Sequence, residues 1–282
     1  SSYQFPYTLF LTGDDTITGN DFDDNNLAGG PGNDSMSGGT GNDYFDPGNG
    51  SDTIDGGAGT ANQISYSAAN ADPAITHGIT VDLGAGSLVD PWGNTDVFSN
   101  IQGIRSTRFS DTLIGTADAN QFTPLAGDDS IDGGAGEDRI RYDKDANYGG
   151  LAGVTVDLAA GTATDGFGGH DSFTSIEEVV GTSQADMLHG GDISLPTGNA
   201  YDLYGGNGND TLSAGAFQTF MEPGAGNDSV IGGASTIDIV SYEEYTGANA
   251  ATFNFATGII NDPYGGSDTV TGVEEARGTP NN

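Results

Sequence analysis

Residues 29 to 55 read GGPGNDSMS, GGTGNDYFD and PGNGSDTID, and the sixth place of each nonapeptide is an acid, Asp34, Asp43 and Asp52. Short carboxylates beside glycine suit turns that hold a hard cation through oxygen. Glycine at the second and fourth places opens backbone angles closed to other residues. Those angles turn carbonyl oxygens toward a common point, where the aspartate adds charge. The same phase runs through Asp111, Asn120, Asp129 and Asp138, each two residues before Leu113, Phe122, Ile131 and Ile140. A third array sets Leu203, Leu212, Met221 and Val230 nine apart, with Asp210 and Asp228 in the acidic place.

The elements that position these acids follow from the same period. The large apolar residue at the eighth place, such as Met36, Phe45 or Ile54, is the single inward side chain of a two- to three-residue strand. If each nonapeptide is half a coil, residues 18 apart stack at the strand spacing of ~4.8 Å, and a cation fits between two stacked turns.

The pattern resembles the hemolysin-type calcium-binding repeat of the RTX family, G-G-x-G-x-D-x-U-x with U a large apolar residue. The resemblance implies that one turn gives the carbonyls of places 2 and 4 plus its aspartate, and the next turn on that side gives the carbonyls of places 1 and 3 plus its own. One Ca²⁺ would then take Gly30, Gly32 and Asp34 with Pro47, Asn49 and Asp52. Equivalent pairs are Asn25 with Asp43, where Asp23, Gly38 and Thr40 take carbonyl places; Asp111 with Asp129; Asn120 with Asp138, where Asp118 takes the fourth place; and Asp210 with Asp228, with Gly206 and Gly208. Six oxygens suit Ca²⁺ better than Mg²⁺, which keeps its waters and a stricter octahedron. Turns in which Asn25, Asn62 or Asn120 replaces the acid, or Tyr201 or Thr219 does, are expected to hold calcium weakly or not at all. One-residue insertions, from Ile17 to Leu27 and from Val230 to Val240, are expected to bulge without breaking the coil.

A longer repeat separates the arrays. Residues 78 to 107 align without a gap to 153 to 182 and to 250 to 279. They share Asp90, Asp165 and Asp262, then an aromatic (Trp92, Phe167, Tyr264), a glycine, and Asp96, Asp171 and Asp268, all further candidate ligands; Asp186 opens the strand after the second unit and joins them. Each unit follows ISY, IRY or VSY, ending at Tyr66, Tyr142 and Tyr242. Alternation at Ile79, Val81, Leu83 and at Val154, Val156, Leu158 predicts strands, and the units read as wider coils of one solenoid. The aromatic series packs over its turn or stacks on sugar rings. Segments 67 to 77, 144 to 152 and 190 to 200 interrupt the period and read as projecting loops.

Composition narrows the function. Forty-one acids face 6 basic residues, for a charge of −35. Nucleic acid is therefore excluded as a partner, since a polyanion needs Lys/Arg to displace its counterions. Only 54 of 282 residues are Leu, Ile, Val or Phe, too few for a conventional large core. The absence of cysteine excludes disulfides and thiolate metal sites, and no stretch approaches the ~20 apolar residues of a membrane span. The start at Ser1-Ser2-Tyr3 lacks an initiator Met and a signal-peptide pattern, and the end falls inside a repeat, so the chain reads as processed or as an excerpt. His77, His170 and His189 sit at unrelated phases. Glu177, Glu178, Glu243 and Glu244 are acid/base candidates by type, but Glu274 and Glu275 repeat the place of Glu177 and Glu178, whereas a catalytic constellation is singular.

The sequence thus predicts an all-β fold, a right-handed parallel β-roll or β-solenoid with calcium-binding glycine turns, and no enzyme within this chain. Its expected divisions are a nonapeptide array at 1–64, a long unit plus second array at 65–143, a long unit plus third array at 144–241, and a long unit at 242–282, all one solenoid. The resemblance implies a secreted module that folds on Ca²⁺ outside a Gram-negative cell or at its surface, in a structural, adhesive, surface-layer or folding-and-secretion role. Cell-surface polysaccharide or self-association are the further partners. The alternative is a glycan-binding accessory module of a polysaccharide-active enzyme, using the loops or the arginines at 105 to 141.

Overall fold

A computed structural model describes residues 12–24, 26–195, 200–235 and 237–280. The chain is almost wholly β, its helices among the described residues being a 3-10 turn at Ser67–Ala71 and a single α turn at Asp145–Tyr148. It divides into two compact units, Ser1–Thr107 and Arg108–Asn282.

In each unit the nonapeptide strands form two parallel sheets, and successive half-coils alternate between them. In the first unit Met36 pairs with Ile54 on one sheet, and Leu27 with Phe45 and Phe45 with Ile64 on the other. In the second unit Leu113 pairs with Ile131 and Leu212 with Val230 on one sheet, and Phe122 with Ile140 and Leu203 with Met221 on the other. The eighth-place residues are buried, including Met36, Phe45, Ile54, Leu113, Phe122, Leu203 and Val230. Each contributes about 1.5–3 kcal/mol by leaving water, so the core is a narrow file of single side chains. Both one-residue insertions are absorbed: Ile17 stacks on Met36 and Met221 on Val240, each pair one residue wider in sequence than the regular coil, with parallel pairing intact.

The long units depart from the expected wide coil. Each contains three antiparallel strands: Thr80–Asp82, Ser87–Val89 and Thr95–Ser99 in the first, Thr155–Asp157, Thr162–Thr164 and His170–Thr174 in the second, and Thr252–Asn254, Ile259–Asn261 and Ser267–Thr271 in the third. The last strand of each set adds parallel to the preceding array, as Phe98 on Ile54, Phe173 on Ile131 and Val270 on Val230. In the second unit of the chain the first strand of the set then carries the next array, Val156 pairing with Leu188. The physical reason is turn chemistry. Gly86, Gly161 and Gly258 all adopt positive φ, in the left-handed region. Glycine enters that region freely, and the chain reverses there tightly enough for neighbours in sequence to pair antiparallel.

Candidate metal centres

The acidic places form ladders. The backbone N–H of each donates to Oδ1 of the acid one turn later: Asp34 to Asp52 (2.8 Å), Asp111 to Asp129 (2.7 Å), Asp210 to Asp228 (2.8 Å) and Asn120 to Asp138 (2.8 Å). This bond fixes every carboxylate against the preceding turn and leaves Oδ2 over. Among the described residues, Oδ2 of Asp34, Asp43, Asp52, Asp129, Asp138, Asp165, Asp210, Asp228 and Asp262 is buried without a hydrogen-bond partner. A buried carboxylate oxygen with no partner is costly enough that its repetition down three arrays points to a cation as the partner.

The first-place glycines show where a cation fits. A Cβ on Gly29 would lie 2.3 Å from Asp34 Oδ2 and 2.5 Å from the Pro47 carbonyl oxygen of the turn above. The same pairing of an acid oxygen with an upper-turn carbonyl surrounds Gly205 (Asp210 Oδ2 2.6 Å, Pro223 O 2.5 Å) and Gly133 (Asp138 Oδ2 2.6 Å, Ser175 O 2.0 Å). The carbonyls of Gly30 and Gly32 rise toward Gly48 and Gly50, where a Cβ would meet them at 2.0 and 1.7 Å; those of Gly206 and Gly208 rise toward Gly224 and Gly226 at 1.9 and 1.5 Å. The Asn49 carbonyl accepts from Gly32 N–H at 2.9 Å.

Acceptors facing acceptors repel, and burial adds to this. Desolvation, partly offset by the ladder bonds, pushes the carboxyls of Asp52, Asp138 and Asp228 up to about 7 and that of Asp210 up to about 8; Asp34 and Asp43 are raised for the same reason. Burial also raises Asp129, with the charges of Asp111 and Asp171 adding to it. Among the described residues no three His, Cys, Asp or Glu side chains close on one point. The donor sets therefore combine one or two carboxylates with backbone carbonyls, which fits an all-oxygen hard cation of flexible geometry, as Ca²⁺ is.

Asn62 supplies an internal contrast. Its Oδ1 accepts the ladder bond from Asp43 N–H (2.8 Å), and its Nδ2 donates to the Asn100 carbonyl at 2.9 Å beside Gly56. Where the side chain carries its own donor, acid and carbonyl no longer face each other and no cation is needed. Asn120 differs from Asn62: its Oδ1 accepts from Thr116 N–H at 2.6 Å and lies beside the Gly133 carbonyl, at 2.6 and 2.0 Å from where a Cβ on Gly115 would be.

Other nominated residues fall into place unevenly. Asp96, Asp171 and Asp268 extend the ladders, accepting from Asp52, Asp129 and Asp228 N–H, but their second oxygens take the hydroxyls of Tyr66, Tyr142 and Tyr242. Asp90 is satisfied by Trp92 and Asn94, whereas Gly169 and Gly266 stand where Asn94 does and leave Asp165 and Asp262 with an orphaned oxygen. Asp186 bonds Val154 and Thr182 with both oxygens. Gly38 is buried, and a Cβ on Gly19 would meet its carbonyl at 2.3 Å and Asp24 Oδ2 at 2.2 Å. Asp23, Thr40 and Asp118 are exposed turn residues. Asn25 lies outside the described residues, and its neighbour Asp24 holds the ladder place, donating to Asp43 Oδ1 at 2.9 Å.

The aromatic series packs on its own loops. Trp92 Nε1 donates to Asp72 at 2.9 Å, Phe167 covers Gly150, and Tyr264 meets Tyr245 edge to face at 4.8 Å.

Sequence reasoning missed the ladder partners Asp15, Asp24 and Asp238, and the glutamates Glu177 and Glu274 that accept from Asp138 and Asp238 N–H. Each lies one residue off the nonapeptide phase or inside a long unit, so the period could not flag it.

Parallel half-coils, a single apolar file and glycine turns that pair acid with carbonyl define a calcium-binding β-roll. The chain carries RTX calcium-binding nonapeptide repeats in all three arrays: the family model so described, built of four copies, matches residues 11–45, 22–54, 106–140, 114–148 and 202–219. Among solved structures, the extracellular lipase LipA from Serratia marcescens is similar at 16% identity and a TM-score of 0.20, over 93% of this chain. The chain spans 37% of the length of that structure. No curated protein matches the chain.

Proposed function

We propose that this chain is a calcium-dependent folding module of a secreted protein, its arrays empty and unfolded where free calcium is low and filled outside the cell. The observation that carries the reading is the file of buried, partnerless Oδ2 atoms, which at Asp34, Asp138 and Asp210 lie beside a carbonyl of the next turn. Ligand sites that do not exist in the unfolded chain turn binding energy into folding energy. At 100 times its dissociation constant an independent site contributes about 2.7 kcal/mol, so a few sites equal the stability of an ordinary domain. Extracellular modules bind at ~10⁻⁴ to 10⁻³ M, which separates outside from cytosol. The residues that would hold the ions are the orphaned aspartates with the first- to fourth-place carbonyls beside them. In the parent protein the module serves a structural, adhesive or surface-layer role, or promotes folding after export from a Gram-negative cell. Circular dichroism during a calcium titration tests this. The β signal is expected to rise with calcium, and a signal unchanged in excess chelator with no retained metal overturns the reading.

A second reading has its own observation. Arg139, Arg141, Glu178, Tyr204, Glu222 and Tyr264 line an open groove of about 380 Å³ in the second unit, with Arg139 paired to Glu178. Planar polar groups beside aromatic rings suit a sugar chain, as in an accessory module of a polysaccharide-active enzyme. Specific binding on a glycan array in calcium supports it, and silence removes it.

A further inference from the structure

The three long units place one residue identically and fill it differently. Ala69, Asp145 and Tyr245 each lie three residues after the buried tyrosine and donate their N–H to its carbonyl, at 3.1, 3.0 and 3.2 Å. Ala69 is buried and apolar, and Tyr245 meets the Tyr264 ring. Asp145 is instead a carboxylate at 1% exposure.

Oxygen atoms lie around its carboxylate, and the Phe167 ring lies on the side of its Cβ, across Gly150. Asp145 Oδ2 accepts from Gly166 N–H at 3.1 Å, while Oδ1 is buried without a partner. A Cβ on Gly166 would lie 2.9 Å from Asp145 Oδ2 and 3.1 Å from the Ala152 carbonyl oxygen. The adjoining Asp165, also 1% exposed, uses Oδ1 to accept from Phe167 and Gly169 N–H and leaves Oδ2 unpartnered. That Oδ2 and the Gly127 carbonyl lie 2.7 and 2.0 Å from where a Cβ on Gly169 would be.

Among the described residues no cationic side chain pairs with Asp145 or Asp165. The nearby cations Arg141 and Lys144 are both held by Asp143, at 2.7 and 2.6 Å. Burial foremost, then the charge of Asp165, pushes the Asp145 carboxyl up to about 8.

We infer that Asp145 and Asp165 together bind a divalent oxygen-seeking cation, Ca²⁺ in a calcium-rich medium, at a site that the other two long units lack. The site lies outside the nonapeptide pattern, because Asp145 comes from the loop that interrupts it. The inference rests on the calcium reading of the arrays only for the identity of the metal.

The test counts ions on the full chain by native mass spectrometry at saturating calcium. Asp145→Asn keeps the size of the side chain and its Gly166 bond but removes the charge, and is expected to lose one ion relative to wild type. Asp165→Asn should lose that same ion, and the double variant no more than either. An unchanged count in Asp145→Asn overturns the inference while leaving the arrays intact. Absence of bound calcium from wild type instead overturns the function proposed above. If the variants do not fold, a wild-type crystal grown in terbium chloride decides. An anomalous peak within ligand distance of both carboxylates supports the site, and a direct Asp145 to Asp165 hydrogen bond with no peak overturns it.

Discussion

The Tyr142 hydroxyl donates a 2.8 Å hydrogen bond to Oδ2 of Asp171, whose Oδ1 accepts from Asp129 N–H. Tyr66 with Asp96 and Tyr242 with Asp268 repeat the arrangement. In each case the last acid of a ladder has a phenol where the acid directly below it, Asp52, Asp129 or Asp228, has an unpaired oxygen. The tyrosine ends the row by giving that oxygen a hydrogen-bond donor, the partner that Oδ2 of the acid below it lacks.

Tyr142→Phe keeps the ring in the core and strands that oxygen. Leaving one buried acceptor unsatisfied costs about 1–3 kcal/mol, so the variant should unfold at lower denaturant in saturating calcium. An unchanged midpoint would show that the hydroxyl is dispensable.

The Asn62 arrangement predicts an asymmetry at Asp34. Asp34→Asn retains the ladder bond and gains an amide donor toward the Pro47 carbonyl, so it should bind one ion fewer yet lose little stability. Asp34→Ala forfeits both, at about 1–3 kcal/mol more. Asp46 is the control. The ninth place of the repeat predicts a side chain facing water, but Asp46 is half-buried, and burial pushes its carboxyl up to about 6. Asp46→Asn should keep the ion count, as isothermal titration calorimetry would record.

Protons should partly replace calcium. The carboxyls of Asp52, Asp138, Asp210 and Asp228 start from 3.8 and rise to about 7 or 8 in the metal-free fold. The folded chain therefore binds more protons than the unfolded one at these groups, and their contribution to metal-free stability is fully present below the unfolded value and lost as pH rises through about 7 to 8. In chelator, the β signal at pH 5 should exceed that at pH 8. Calcium affinity runs the other way, growing with pH as binding displaces those protons. A metal-free β signal that strengthens toward pH 8 contradicts both signs.

Glycines divide by cause. A Cβ on Gly226 would lie 1.5 Å from the Gly208 carbonyl oxygen, whereas Gly168, at positive φ, has nothing within 4 Å of its own. Gly168→Ala should cost about 1–2 kcal/mol of backbone strain. Gly226→Ala must push two turns apart, and its calcium-induced circular dichroism change should be lost or need far more calcium.

The period makes the parallel sheets legible because one buried side chain per nonapeptide leaves little else to vary. It cannot show what depends on neighbours across a turn. Alternation at Val154, Val156 and Leu158 reads correctly as a strand, but its antiparallel partner Thr162–Thr164 is set by the reversal at Gly161. Counting back from Leu27 lands on Asn25, and only the ladder bond from Asp24 shows that the inserted residue shifts the acid by one. Tyr66, Tyr142 and Tyr242 are visible as a repeat, yet their hydroxyl partners Asp96, Asp171 and Asp268 lie 30, 29 and 26 residues further along, inside the long unit that follows.

The ladder bonds all run one way: an earlier turn gives its amide, and a later turn reaches back with its carboxylate. The side-chain ladder consequently has a polarity along the chain, which predicts an effect of the order in which the chain is released. A chain released with its C-terminal side first would set each carboxylate in place before the amide it must grip arrives. Released from the other side, the same chain leaves each new ladder amide waiting in water for an acid not yet delivered.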